Sequence, residues 1–199
     1  IFRKEQFFMT QNESEADQIL ENLNTRYVIT DYEMDTGKFW AMSTWYNSSL
    51  ATAPYQMTLL APGLNNPDNY EPALLNKQPY YLTTVSRLHN FDGSLTTASN
   101  VYYIEYADPE ITKVSLPVIT AAEAMNATEA ARRVDDYNLK APAGYHAVAL
   151  SPAITLPVDT VPALRHYRLV HESPSNVFNA KTPDVKYVKI FEYVKGAQI

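Results

Sequence analysis

The sequence predicts a mixed α/β (α+β) fold, helix-rich in its N-terminal part around a mixed sheet and β-rich in its last third. Three features predict it. Apolar residues recur at helical spacing in residues 14–24 and 80–91, short β-branched and aromatic runs stand at 26–30 and 101–106, and beyond Asn138 only strand-like runs between Pro-containing turns remain. Residues 1–140 are expected to hold the mixed core, and 141–199 to complete the same domain or form a small β-rich subdomain.

In order along the chain, Ala16, Ile19, Leu20 and Leu23 take the spacing of one helix face, and Ser14-x-x-Asp17 in front of them resembles a capping box. Arg26-Tyr-Val-Ile-Thr30 reads as a buried strand expected to join later strands in one sheet. Asp31 opens a second helical stretch that runs to Tyr46. Gly37 costs that stretch about 1 kcal/mol against Ala, so a bend is expected there. Residues 51–78 hold Pro54, Pro62, Pro67 and Pro72 with Gly63, Asn65, Asn66 and Asn69, which predicts turns and short helical pieces on a surface. Leu82, Val85, Leu88 and Phe91 mark a helix stopped by Asp92-Gly93. A strand follows at 101–106, a weaker one at 111–119, and a helix from about Ala121 to Tyr137. Residues 145–150, 165–171 and 185–194 read as strands.

With 16 Lys+Arg against 22 Asp+Glu the chain carries a net charge of −6, and its basic residues are scattered, which argues against a nucleic-acid partner. The 199 residues include no cysteine, which removes disulfides, thiolate zinc sites and cysteine nucleophiles. The longest uncharged stretch, 141–158, is broken by Pro142, Pro152 and Pro157 and cannot cross a bilayer as a helix. The first residue is Ile1, and the chain reads as a piece of something longer.

Common nucleophile, phosphate-loop and metal signatures are missing. The histidines (His89, His146, His166 and His171) read as polar or surface residues, and the carboxylate pairs Asp31/Glu33 and Asp135/Asp136 give only thin support to a hydrolase. Fifteen tyrosines with Trp40 and Trp45 suit core and shell packing, and also sugar stacking or an interface. N-x-[ST] triplets occur at Asn12, Asn47 and Asn126, a frequency near chance. In the run Asp31-Tyr-Glu-Met-Asp-Thr-Gly-Lys-Phe-Trp-Ala-Met42, Met34, Lys38 and Met42 follow one another at steps of four, an apolar stripe flanking one ammonium. Such a stripe is core packing in most helices and a pocket wall for a small hydroxylated side chain in some.

Residues 26–42, with Ser86-Arg-Leu-His-Asn-Phe-Asp-Gly-Ser94, Val161-Pro-Ala-Leu-Arg-His-Tyr-Arg-Leu-Val-His-Glu-Ser-Pro174 and Val188-Lys-Ile-Phe-Glu-Tyr-Val-Lys-Gly-Ala197, resemble in the same order the C-terminal globular domain of the archaeal oligosaccharyltransferase catalytic subunit, the AglB type. The resemblance implies a fragment of a glycosyltransferase that moves a lipid-linked oligosaccharide onto the Asn of N-x-S/T sequons. It implies a divalent metal, Mn or Mg, in a multi-pass membrane region outside this chain, and neither cofactor nor catalytic residue within it. The chain alone is then expected to be inactive, and to lie on the extracellular face of the membrane through that missing part. By resemblance the D-x-x-M-x-x-x-K-x-x-x-I form of the family's kinked-helix motif falls on Asp31, Met34 and Lys38, with Met42 in place of Ile, and contributes part of the pocket for the Ser or Thr at +2 of the acceptor. Its partner motif W-W-D-Y-G is absent, and the fragment is expected to begin just past it. Implied partners are the acceptor sequon and the lipid-linked oligosaccharide. A stand-alone extracellular carbohydrate-binding or surface-layer module is the alternative of another class.

Overall fold

A computed structural model describes residues 2–63, 69–177 and 185–196, with the side chains of residues 2 and 3 left out of the description. In chain order its elements are α1 (Phe2–Met9), α2 (Glu13–Asn22), β1 (Tyr27–Asp31), α3 (Tyr32–Asp35), α4 (Phe39–Tyr46), β2 (Gln56–Pro62), β3 (Tyr70–Asn76), α5 (Gln78–Leu82), α6 (Thr84–Phe91), β4 (Asn100–Ala107), α7 (Pro109–Thr112), β5 (Val118–Asn126), α8 (Ala127–Asn138), β6 (Tyr145–Leu150), β7 (Tyr167–Glu172) and β8 (Val188–Tyr193). Helices and two separate sheets make the fold mixed α/β, as the sequence predicts. The chain forms two compact units, Ile1–Pro54 with Pro79–Thr97 and Thr160–Ile199, and Tyr55–Gln78 with Ala98–Asp159. None of the four borders between them along the chain falls at the division expected near 140. β6 belongs to the second unit and β7 and β8 to the first, because strands pair by complementary edges rather than by nearness in sequence.

The first unit holds an antiparallel sheet in the order β1-β8-β7, so the strand after Arg26 does join strands from the far end of the chain. Register sets Tyr27 and Arg168 against Glu192 of the central strand. The Glu192 carboxylate accepts from Arg26 Nη2 at 2.7 Å and also from Arg168, and these two cations, Arg26 first, pull it below the ordinary carboxylate range. On one face of the sheet Val28, Phe191 and Tyr167 pack with Phe7 of α1, Ile19 and Leu20 of α2 and Leu88 of α6. The helix of 14–24 is present, but its cap is Asn12, whose Oδ1 accepts from the Ser14 amide at 3.0 Å; this corrects the Ser14 capping box. The helix of 80–91 is two helices, because Thr83 leaves the helical region and caps α6 through the Ser86 amide. Asp92 in the left-handed region (φ 55°) and Gly93 (φ 71°) end α6 where the stop signal stood.

The second unit is a five-stranded sheet, β3-β2-β5-β4-β6, antiparallel except for β2 beside β5. Alternation along β4 sends Val101 and Tyr103 to the side packed with Ala130 of α8, and Ile104 to the other side with Leu59, Leu75 and Leu150. Three expectations are corrected here. Residues 56–62 and 70–76 form an antiparallel hairpin rather than surface turns: Pro62 closes a strand and Pro72 sits on the edge strand β3, positions where a missing amide hydrogen costs no sheet bond. The remaining Asn65, Asn66 and Pro67 of that expectation lie outside the described residues. Of the weak strand expected at 111–119, residues 111–112 end the short helix α7 and only Val118 and Ile119 are strand, as the start of β5. The helix expected from Ala121 begins at Ala127, because Ala121-Ala122-Glu123-Ala124 pair with β4 and Asn126 caps α8 through the Glu129 amide.

Candidate functional site

The run from Asp31 to Met42 leaves β1 in the first unit and turns at once into α3. Asp31 ends the strand in an extended conformation, and its Oδ1 accepts from the Met34 amide at 2.8 Å, so the acid's structural work is the N-cap of α3. The helix lasts four residues. Thr36 leaves helical geometry (φ −120°, ψ −88°) while its hydroxyl donates to Tyr32 O at 2.7 Å, and α4 starts afresh after Lys38. The bend expected at Gly37 is therefore a full break over residues 36–38. Nothing lies within 4 Å of the place a Gly37 side chain would occupy, so the break does not depend on a missing Cβ.

This break undoes the single stripe. Met34 lies half-buried on α3, Lys38 is exposed at the break, and Met42 is buried in α4, 8% exposed. The Lys38 ammonium pairs with Glu33, which raises its pKa above the ordinary value through their hydrogen bond and then their charge attraction. It does not pair with Asp31, whose carboxylate caps α3. Phe39 is fully buried edge-on against Tyr80 of α5, ring centroids 5.0 Å apart, and anchors the start of α4.

Between Met34 and the break sits Asp35, which sequence reasoning passed over. It is 1% exposed, and burial above all pushes its carboxyl up to about 6. Its Oδ2 accepts from Asn90 Nδ2 of α6 at 2.9 Å, and Tyr80 Oη donates to its backbone carbonyl at 3.1 Å. The available signal was its place one turn before Phe39, on the face α4 buries. Next to Asn90, His89 corrects the polar-or-surface expectation: it is wholly buried, with Nε2 donating to Lys186 O at 2.9 Å and Nδ1 accepting from the Thr30 hydroxyl at 2.9 Å. A carbonyl can only accept, so Nε2 carries a hydrogen, and in the neutral ring Nδ1 is left to accept from Thr30. Burial, then the Lys189 ammonium, lowers its pKa to about 4.

Other candidates are already engaged. Asp136 pairs with Arg132, and Glu33 and Asp31 are used as above, so the paired carboxylates of a hydrolase are not standing ready. Glu13, Asp17 and His166 come together closely enough for a metal, but Glu13 Oε1 accepts from the amides of Arg165 and His166, and Asp17 accepts from Tyr167 Oη at 2.9 Å and His166 Nδ1 at 2.6 Å. These hydrogen bonds account for the clustering of the three side chains without a cation. Trp40 and Trp45 stand 62% and 61% exposed, whereas Tyr80, Tyr81, Tyr103 and Tyr167 are buried. An apolar hollow of about 160 Å³ lies between α1, α2 and β1, lined by Phe7, Phe8, Leu20, Leu23, Tyr27 and Ile29, away from Met34 and Lys38. No helix among the described residues is long and apolar enough to cross a membrane.

No family model matches the chain. It is 29% identical over 215 aligned positions to dolichyl-phosphooligosaccharide-protein glycotransferase 3 of Archaeoglobus fulgidus, an alignment covering 97% of this chain and 23% of that protein. Among solved structures it is similar to the apo oligosaccharyltransferase of A. fulgidus (24% identity, TM-score 0.48, covering 97% of this chain and 23% of that one). A second is the same organism's AglB in complex with an inhibitory peptide and a dolichol-phosphate (22% identity, TM-score 0.45, again 97% and 23%). The chain is thus similar, along nearly all of its own length, to about a quarter of that archaeal glycotransferase.

Proposed function

We propose that this chain is the acceptor-recognition domain of a membrane oligosaccharyltransferase that transfers a lipid-linked oligosaccharide to the Asn of N-x-S/T sequons. The observation that carries the reading is the 29% identity over 97% of the chain to a glycotransferase of that activity. The chain spans 23% of that protein's length, so the transfer chemistry, its Mn or Mg ion and the lipid-linked donor are assigned to the rest of the enzyme, and the chain alone is expected to be inactive. The domain is assigned to the extracellular face of the membrane.

Within it, Asp31, Met34, Lys38 and Met42 contribute part of the pocket for the +2 Ser or Thr. Half-buried Met34 offers a flexible thioether to the Thr methyl, and Met42 contributes from the buried side of α4. Asp31 fixes the position of Met34 by capping α3, and Lys38 with Glu33 marks the pocket's charged edge. Holding the +2 residue places the acceptor amide at the reacting centre, a gain in orientation rather than in chemistry.

The test is Met34→Ala in the full-length transferase. One lost methyl contact is worth about 0.8 kcal/mol, so the preference for Thr over Ser acceptors should fall roughly fourfold. An unchanged Thr/Ser ratio in peptide glycosylation would sink the assignment. The exposed rings of Trp40 and Trp45 favour a second reading, a carbohydrate-binding module. It requires the chain alone to bind free oligosaccharide, where the first reading expects no binding.

A further inference from the structure

The Asp35–Asn90 contact leaves two buried oxygens stranded. Asp35 Oδ1 and Asn90 Oδ1 have no hydrogen-bond partner, although their two groups are already joined through Oδ2 and Nδ2 at 2.9 Å. The second hydrogen of Asn90 Nδ2 goes to Ser86 Oγ at 3.0 Å. Of the nearby donors, the single hydroxyl hydrogen of Tyr80 goes to Asp35 O, and Lys189, whose ammonium bonds Asp92 at 2.6 Å, reaches the Asp35 carboxyl through its charge, which opposes protonation. Two buried acceptors without a donor between them cost free energy on each side. One proton on the carboxyl turns this pair into a donor and an acceptor, and a carboxylic acid beside a primary amide can then close a ring of two hydrogen bonds.

We propose that Asp35 is a positioning residue for the candidate pocket, working as a neutral carboxylic acid clasped to the Asn90 carboxamide. The clasp ties the end of α3 to α6 directly beside Met34 and ahead of the 36–38 break, so the half-buried thioether keeps its direction while the acid carries its proton. Burial outweighs the Asn90 and Tyr80 hydroxyl contacts and the Lys189 charge, which all favour the carboxylate, and places this carboxyl near 6, in line with the same protonation state. Charged and titratable groups on the neighbouring elements have other partners. On α6, Arg87 bonds Pro162 O and His89 bonds Thr30 and Lys186; on β1, Asp31 caps α3; before α4, Lys38 pairs with Glu33; on β8, Lys189 pairs with Asp92; on α5, Tyr80 donates to the Asp35 carbonyl. Above pH 6 the acid ionises, the second bond is lost and the clasp loosens. What the clasp positions rests on the acceptor-pocket reading; the protonation itself does not.

Two measurements test it. In the 199-residue chain, the Asp35 carboxyl carbon, followed by NMR, should titrate near pH 6 rather than at the ordinary Asp value. Asp35→Asn, whose amide can form the same ring with no proton to lose, should match the wild-type folding constant at pH 4 and exceed it by about a hundredfold at pH 7.5. Asp35→Ala should be worse than both at pH 4. A midpoint near 4, or Asp35→Asn no better than Asp35→Ala at pH 7.5, overturns the neutral acid; the NMR midpoint decides even if the variants do not fold. In the full-length transferase, the acceptor KM should rise across pH 6 in the wild type and stay level in Asp35→Asn. If Met34→Ala alters acceptor KM and Asp35→Asn leaves its pH profile as in the wild type, the positioning role fails. If neither variant alters acceptor use, the pocket reading fails and the positioning role with it, while the protonation stands on the NMR result.

Discussion

Lowering the pH through the ordinary histidine range should destabilise the first unit through His89, and the size of the effect follows from its surroundings. The ring is wholly buried, both nitrogens are satisfied in the neutral form, and the Lys189 ammonium faces it, so the folded chain takes up its proton only near pH 4 while the unfolded chain does so near 6.5. A folded pKa lowered in this way means that the stabilising contribution is complete above about 6.5 and is lost as the pH falls to about 4. At 1.36 kcal/mol per pKa unit the loss amounts to about 3 kcal/mol, a large part of a typical domain's stability. Asp35 works in the opposite sense: its folded pKa, near 6, lies above the ordinary 3.8, so its contribution is complete below about 4 and lost as the pH rises through 6. The two nearly offset each other between pH 4 and 6, which would hide either one in the wild type. Urea unfolding of the wild type, His89→Gln and Asp35→Asn at pH 7.5, 6, 5 and 4 separates them. Removing His89 should abolish about 3 kcal/mol of acid loss, and Asp35→Asn should expose that loss in full. A difference between the wild type and His89→Gln that stays flat from pH 7.5 to 4 would refute the reasoning.

Two further outcomes follow from packing. Arg87 of α6, 4% exposed, donates to Pro162 O at 3.1 and 2.8 Å and to Ala163 O at 2.9 Å, so Arg87→Ala should cost about 4 kcal/mol in urea unfolding, and Arg87→Lys should restore only part because one ammonium cannot fork onto both carbonyls. In the second unit Gly144 has φ +83°, and a Cβ there would lie 2.7 Å from Ile111 Cγ1; Gly144→Ala should cost about 1–3 kcal/mol, and Ile111→Ala in the same chain should recover the steric share but not the backbone share. A double variant no more stable than Gly144→Ala would show that the clash is not what the glycine avoids.

What could be read from the sequence and what could not divides along the range of the deciding interaction. β1, β4 and β6 carry their own alternation and β-branched or aromatic residues, and α2 and the stop after α6 carry local spacing and turn chemistry, so each was legible. Ala121-Ala122-Glu123-Ala124 favours a helix locally and is a strand because β4 offers it a ladder. The hairpin of β2 and β3 was hidden by prolines that disrupt a strand only in the interior of a central one, whereas Pro62 ends β2 and Pro72 lies on the edge strand β3. At the candidate site, Asp31 and the break near Gly37 were visible, because a cap and a weak helix former act on their own neighbours. Asp35 was not, because its meaning comes from Asn90, 55 residues further along the chain, and a separation of 59 residues hid the burial of His89 against Thr30.

The same contrast predicts how the site moves. A four-residue helix gains too few hydrogen bonds to offset the ordering of its backbone, so α3 persists only through what holds its ends. Those holds include Asp31 Oδ1 on the Met34 amide, Tyr187 O on the Tyr32 amide at 2.9 Å, Tyr32 O taking both the Thr36 amide at 3.1 Å and its hydroxyl, Tyr80 Oη on Asp35 O, and Asp35 bound to Asn90. Each can release without disturbing β8, whose residues pair on both sides with β1 and β7 over a buried Phe191. Amide exchange at residues 34–38 should therefore proceed by local opening and show protection factors well below those of residues 189–192, which open only with the unit. The gap should widen between pH 5 and 7.5, after correction for the intrinsic exchange rate, as the Asp35 clasp loses its proton. Equal protection in the two segments would mean that the break over residues 36–38 is as rigid as the sheet, and that a pocket built on it presents Met34 without any cost of ordering.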